Sequence, residues 1–216
     1  MKSKWNDREA SKYIKQYIKK GINRELALRI YSTHLLGKDS KLVLHGGGNT
    51  SLKLSIKNSF GKKENIIYVK GSGRDMSNID IDGFPALELD NLIKLKTIKK
   101  INDFQMINYQ KKYMIDTTFP NASVETLLHS FLPHKYVDHT HSNAILSLID
   151  QPNDKKICKK IFGDDLGIVP YIMPGFELSK KASEVFEKNP KVKGLILLNH
   201  GIFTFGNTAK ESYERM

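Results

Sequence analysis

Two histidines stand two residues apart in Val137-Asp138-His139-Thr140-His141. Alternate side chains of an extended strand share a face, so His139 and His141 present two imidazoles to one side, and Asp138 and Thr140 point to the other. Neutral imidazoles are ligands for zinc-type metals, and three of them leave an open coordination position, the arrangement of catalytic rather than structural sites. His200 is the third candidate, because it follows the apolar run Gly194-Leu195-Ile196-Leu197-Leu198-Asn199, whose polar end belongs at a sheet edge. Glu125 is the candidate acid/base. By itself it reads as an ordinary glutamate in the first turn of a helix, where the positive dipole end favours a carboxylate. By themselves the paired histidines fit a solvated sheet face. The buried character of Tyr136-Val137 and the sheet-edge place of His200 favour the metal.

Three further segments are suited to an anion. Gly46-Gly47-Gly48-Asn49-Thr50-Ser51 reads as a turn between two strands, and Lys70-Gly71-Ser72-Gly73 has the same character behind a cation. Glycines let backbone N–H groups approach a ligand closely. Ser123 at a predicted helix start adds another donor. Neither loop has the Walker lysine or the dinucleotide spacing. Each loop alone reads as a plain hairpin turn; the three segments together suggest a phosphate pocket, with Gly48, Asn49, Ser72, Gly73 and Ser123 as its candidate residues. His45 is a weaker metal candidate, His34 and His134 are expected at the surface, and His129, one turn beyond Glu125, is expected to back the metal ligands.

The elements that must position these residues follow from periodicity and turn residues. Helices are predicted over 6–20 and 23–36, one or two over 88–113, and more over 123–132, 144–149, 154–162, 179–189 and from 208 onward. Strands are predicted over 42–44, 52–56, 66–69, 136–142, 168–172, 192–199 and 202–206. Hairpin-like strands interspersed with helices predict α/β layers around a mostly antiparallel sheet. The chain ends inside the 208–216 helix, so a following domain is expected.

The chain has 216 residues, enough for one domain with a sizeable core, and its 39% hydrophobic and 27% charged composition is that of a globular protein. No apolar run reaches the roughly 18 residues of a membrane span, and no secretory h-region is seen at the start. The single cysteine, Cys158, excludes an internal disulfide and fits a cytoplasmic location. The net charge of +12 comes mostly from lysines scattered in ones and twos. Arginine is scarce and no recognition helix or aromatic platform is visible, which argues against nucleic acid and for a surface that attracts anionic metabolites.

The ordered motifs His45–Ser51, Val69–Gly73, Ser123-Val124-Glu125, His139-Thr140-His141 and Asn199-His200-Gly201 resemble those of the class II aldolase/adducin family. The resemblance is narrowest to the N-terminal aldolase domain of bifunctional rhamnulose-1-phosphate aldolase/short-chain dehydrogenase proteins. It implies a three-layer α/β/α fold over residues 1–216, a homotetramer, and a fused C-terminal short-chain dehydrogenase domain. It implies Zn²⁺ held by His139, His141 and His200 with Glu125 as catalytic acid/base and further ligand, and phosphate held by Asn49, Ser72, Gly73 and Ser123. The implied reaction is cleavage of a ketose 1-phosphate, of rhamnulose or fuculose type, to dihydroxyacetone phosphate and an aldehyde. A sugar-phosphate dehydratase or epimerase, or an adducin-like interaction module, is the alternative. Val124 stands where simple aldolases carry a second serine, which removes one phosphate donor.

Overall fold

The computed structural model describes residues 2–58 and 60–216. Asn6 caps the first helix, α1 (Asp7–Lys19), by accepting from the Arg8 and Glu9 amides, and Asn23 caps α2 (Arg24–Gly37) through the Glu25 amide. A hairpin follows, β1 (Asn49–Lys57) and β2 (Lys63–Val69), then the short β3 (Ala86–Glu88) and α3 (Leu89–Lys94). Helix α4 (Asp103–Lys112) starts on a reciprocal Asn102/Gln105 capping box. Next come α5 (Thr126–Phe131), β4 (Tyr136–Thr140), α6 (Asn143–Ile149), α7 (Asp154–Phe162), β5 (Leu166–Val169) and α8 (Phe176–Lys188). The chain closes with β6 (Gly194–Leu197), β7 (Gly201–Gly206) and α9 (Ala209–Arg215).

The seven strands form one sheet in the order β3-β2-β1-β4-β7-β6-β5, antiparallel throughout except for the parallel β5/β6 pair. Alternation along β4 assigns its residues to two helical layers. Val137 packs with α5 and α8, together with Leu195, Phe203 and Phe205. Tyr136 packs on the opposite face with α1 and α2 residues such as Tyr17, Leu26 and Ile30. The expected three-layer α/β/α arrangement with a mostly antiparallel sheet is what the chain adopts. The register places His139 opposite Asn49 on one side and opposite Phe203 on the other. No described helix is long and apolar enough to cross a membrane.

Several local expectations are corrected. Residues 42–44 form no strand, because the Leu42 and Val43 amides bond the Asp39 carbonyl in a turn. Leu42 and Val43 instead bury against Leu36, Met76 and Tyr213. The glycine-rich loop thus leads into β1 rather than joining two strands. The helix expected over 123–132 is the six-residue α5, since Ala122 bridges Gly71 in strand fashion and Ser123 to Glu125 form a turn. Strand β4 ends at Thr140, so His141 lies just beyond it. Strands β5 and β6 are shorter than expected, and β3 lies where no strand is predicted.

Candidate metal and acid/base site

The site forms where β1, β4 and the β6–β7 turn meet the start of α5. His139 is fully buried on the α5 face of β4, and His141 and His200 line the partly open side. Their ring centroids are 4.8 Å (139–141), 5.0 Å (139–200) and 5.4 Å (141–200) apart. One ring nitrogen from each lies within 4.8 Å of the others, so the triad can hold a metal ion.

The polypeptide makes room for these rings at glycines. A β-carbon on Gly201 would lie 2.5 Å from the Thr140 oxygen and 3.1 Å from His139 Cε1. Gly48 has a φ of +63°, and a β-carbon there would lie 2.7 Å from the His139 oxygen. Both positions need glycine because the backbone of one element runs against the histidine strand.

The tautomer of His139 follows from its partner. Nδ1 lies 3.0 Å from the Ile202 carbonyl oxygen, which can only accept, so Nδ1 carries the proton and Nε2 turns its lone pair to the site. His139 Nε2 and His141 Nε2 approach to 3.1 Å. Burial pushes the His139 imidazole down to about 3 and the His200 imidazole down to about 4, and it lowers His141 as well. Burial disfavours the charged form, so these rings present lone pairs rather than protons.

Glu125 stands at the cap position of α5 and is 7% exposed. Its Oε2 is 3.4 Å from His139 Nε2 and its Oε1 is 3.4 Å from His200 Nε2. The expected helix-dipole control of its charge does not dominate. Burial raises its proton affinity, against the opposing pull of His200, the Asn49 hydrogen bond, His141 and Lys70. Among the described residues, Glu125 Oε1 is buried without a hydrogen-bond partner. An orphaned carboxylate oxygen facing neutral imidazoles is a place for a cation, so the donor set fits a divalent metal.

A hydrogen-bond chain holds the carboxylate. Asn49 Nδ2 donates to Glu125 Oε2 at 2.7 Å and to Ser123 Oγ at 3.0 Å. The Asn49 side-chain oxygen accepts from His129 Nε2, and His129 Nδ1 lies 2.8 Å from the Ser51 hydroxyl. A carboxylate accepts only, so the amide nitrogen faces Glu125 and the tautomer of His129 follows. Ser123 Oγ also accepts from the Glu125 amide at 3.2 Å. His129, expected to back the metal ligands, instead backs Asn49 and through it Glu125.

The other candidates separate into two groups. Asn49 and Ser123 are buried beside Glu125, and Gly48 lies under His139. Ser72 and Gly73 are exposed on the next loop, which is pinned by the Ser72 amide donating to the Asn121 carbonyl at 2.8 Å. The buried Lys70 joins the two glycine loops, its ammonium donating to the Gly46 carbonyl at 3.0 Å. His45 is exposed. His34 and His134 are half-buried rather than free at the surface: His34 bonds Tyr13 and the Ile79 carbonyl, and the His134 ring stacks 4.1 Å from Phe205.

Sequence reasoning missed Arg29. It is fully buried on the opposite face of β4, its Nη2 2.5 Å from Asp138 Oδ1, and Ser212 donates to Asp138 Oδ2 at 2.6 Å. This ties the histidine strand to α2 and α9. The only sequence signal was an arginine within the apolar run Leu26-Ala27-Leu28-Arg29-Ile30.

Comparison with known proteins agrees with this architecture. Residues 29–216 match the family described as the Class II Aldolase and Adducin N-terminal domain. The uncharacterized oxidoreductase YuxG of Bacillus subtilis is 39% identical over 186 residues, covering 86% of this chain and 27% of the relative. The chain thus spans about a quarter of that relative's length. The L-fuculose phosphate aldolase of Methanococcus maripaludis is 28% identical over 177 residues, covering 81% of each. The N-terminal class II aldolase domain of a conserved Thermoplasma acidophilum protein superimposes with a TM-score of 0.83 at 39% identity, covering 90% of this chain and 89% of that one. A sugar-phosphate aldolase from Thermotoga maritima shares the fold, with a TM-score of 0.64 at 16% identity, covering 87% and 88%.

Proposed function

The chain belongs to the class II aldolase and adducin N-terminal domain family, and from that premise we propose that it is a zinc-dependent aldolase. Its reaction is the reversible cleavage of a ketose 1-phosphate, of rhamnulose or fuculose type, to dihydroxyacetone phosphate and an aldehyde. The observation that carries this reading is the Glu125 carboxylate set 3.4 Å from both His139 and His200. The Methanococcus relative, named as an L-fuculose phosphate aldolase, supports it.

His139, His141 and His200 would hold the metal, with Glu125 as an additional ligand when substrate is absent. A divalent ion there supplies Lewis-acid polarisation of the substrate's carbonyl oxygen. The chain's own residues do the rest. In the direction of synthesis Glu125 accepts a proton from the hydroxymethyl carbon of dihydroxyacetone phosphate, and in cleavage it returns it. Burial keeps Glu125 more basic than an exposed glutamate, the direction that favours proton abstraction. Asn49 occupies Oε2 and leaves Oε1 to take the proton. Ser123 accepts two N–H groups through Oγ and presents its own O–H as a donor to the substrate phosphate. Gly48, Asn49, Ser72 and Gly73 complete the proposed phosphate cradle, which fixes the remote end of the substrate and so orients the reacting carbons. The net charge of +12 favours encounter with such anions.

We further propose that residues 1–216 form one aldolase domain of a longer cytoplasmic chain carrying a short-chain dehydrogenase, and that it assembles as a homotetramer. The length of the Bacillus relative and its naming as an oxidoreductase support the fusion. The test is a coupled assay for dihydroxyacetone phosphate released from rhamnulose 1-phosphate and fuculose 1-phosphate, with chelator and zinc add-back. Chelator-sensitive release carries the reading. A metal-loaded, folded protein that consumes either sugar without forming dihydroxyacetone phosphate would instead be a dehydratase or epimerase.

A further inference from the structure

Three alternate residues of β1 close on one histidine of α5. Asn49, Ser51 and Lys53 share a face of the strand. The Asn49 side-chain oxygen accepts from His129 Nε2, and the Ser51 hydroxyl lies 2.8 Å from His129 Nδ1. Lys53 takes the same residue by its main chain. Its ammonium donates to the His129 carbonyl at 2.6 Å and to the His134 carbonyl at 2.9 Å. His129 is fully buried, so β1 holds both nitrogens of its ring and the oxygen of its backbone. The last carbonyls of a helix have no partner within it, and a cation there suits both the bond and the dipole. Yet Lys53 has no carboxylate partner among the described residues, and burial pushes its ammonium down to about 7. A half-buried cation without an anion is costly, and a neutral side chain would cap those carbonyls at less cost.

We infer that Lys53 is a positioning residue of the acid/base site: by clamping the main chain at His129 it fixes the ring that aims the Asn49 amide at Glu125. Its role in turnover rests on the acid/base reading of Glu125 above; the geometry at His129 does not. Asn49 turns its nitrogen to Glu125 Oε2, at 2.7 Å, because its oxygen is taken by the Nε2–H of His129. The bare Nδ1 of that ring then accepts from the Ser51 hydroxyl. A second proton, on Nδ1, would break the Ser51 bond. Burial first, and then the Lys53 cation, oppose that proton and hold the imidazole well below its ordinary range. Lys53 thus acts on His129 twice, through its carbonyl and through its charge.

The experiment is nitrogen NMR of the folded, zinc-supplemented chain labelled at histidine, from about pH 5 to 8, alongside turnover of a ketose 1-phosphate. It compares wild type with Lys53→Met and Lys53→Arg. Wild type is expected to show His129 neutral, with its proton on Nε2, throughout. In Lys53→Met those resonances should shift, and a second proton should appear on Nδ1 towards acid pH. Its kcat should fall about tenfold or more, with KM changed less than about twofold. Lys53→Arg keeps the cation and the donors and should recover most of kcat. If the methionine variant does not fold, Lys53→Gln, which keeps a neutral donor for the carbonyls, carries the same test. A lysine that only capped α5 would lower the melting temperature on replacement and leave the His129 resonances unmoved, which overturns the inference. A wild type whose His129 carries its proton on Nδ1 overturns it too, as do shifted resonances with unchanged kcat. Shifted resonances with no turnover of any ketose 1-phosphate, even by wild type, would leave the clamp on His129 standing and remove the reaction. Full turnover in the variants with unmoved resonances would do the reverse.

Discussion

Asn49 Nδ2 donates to Glu125 Oε2 at 2.7 Å, across 76 residues of sequence. That bond aims the carboxylate, and the bond from His129 to the Asn49 oxygen aims the amide. Replacing Asn49 with Ala leaves Glu125 and His129 without these partners. Turnover of the ketose 1-phosphate is expected to fall about 10- to 100-fold, the usual cost of removing a group that orients a site residue. Glu125→Gln keeps the shape and loses the proton acceptor, so kcat should fall by about 10²- to 10⁴-fold with the circular dichroism spectrum unchanged. Intact turnover in Glu125→Gln would falsify the acid/base assignment.

Metal removal should act on stability as well as on activity. Dialysis against chelator is expected to lower the melting temperature, and zinc should restore it. A ligand present at about 1,000 times its Kd contributes about 4 kcal/mol. His139→Ala should lose bound metal, measured by elemental analysis. Gly201→Ala should also weaken metal binding, because its β-carbon would lie 3.0 Å from His141 Cδ2 and 3.1 Å from His139 Cε1. Equal metal content in wild type and His139→Ala would place the metal elsewhere.

The Arg29–Asp138 pair is fully buried on the far side of β4 from the imidazoles. Arg29→Ala strands the Asp138 carboxylate in the core and should cost about 3–5 kcal/mol in denaturant unfolding. The double replacement Arg29→Met with Asp138→Leu leaves no unpaired charge and should recover much of that loss. A single variant as stable as wild type would mean that the pair does not anchor the strand.

His134 predicts an acid limb. Burial pushes its imidazole down to about 4, helped by the nearby Lys53 and Arg215 cations and opposed by Glu211. The folded value lies below the ordinary 6.5, so between about pH 6.5 and 4 the unfolded chain binds the extra proton. Stability is therefore full above pH 6.5 and is lost as pH falls towards 4. Solvent screening of this half-buried ring keeps its share to about 1–2 kcal/mol. His134→Phe preserves the stack on Phe205 and should flatten that limb in thermal melts from pH 4 to 7. An unchanged slope would assign the acid limb to other groups.

Local chemistry was legible in the residues themselves. The His139-x-His141 alternation, the glycines flanking Asn49 and the asparagine caps of α1 and α2 are short-range patterns, and a strand or helix start is specified by its own few residues. So was the layered α/β class, because strand and helix periods differ along the whole chain. Tertiary structure decided the rest. Leu42 and Val43 look like a strand in apolar character, but their amides close a turn on Asp39 and their side chains fill a pocket under α2. Glu125 looks like a first-turn helical glutamate, yet the Gly71–Ala122 bridge delays α5 and buries the carboxylate against the imidazoles. The partnerships of Asn49 with His129 (80 residues apart in sequence) and of Arg29 with Asp138 leave no periodic trace. Each depends on which segments the sheet order brings together. Hydrogen bonding and burial act between neighbours in space, whereas a single sequence records only neighbours along the chain.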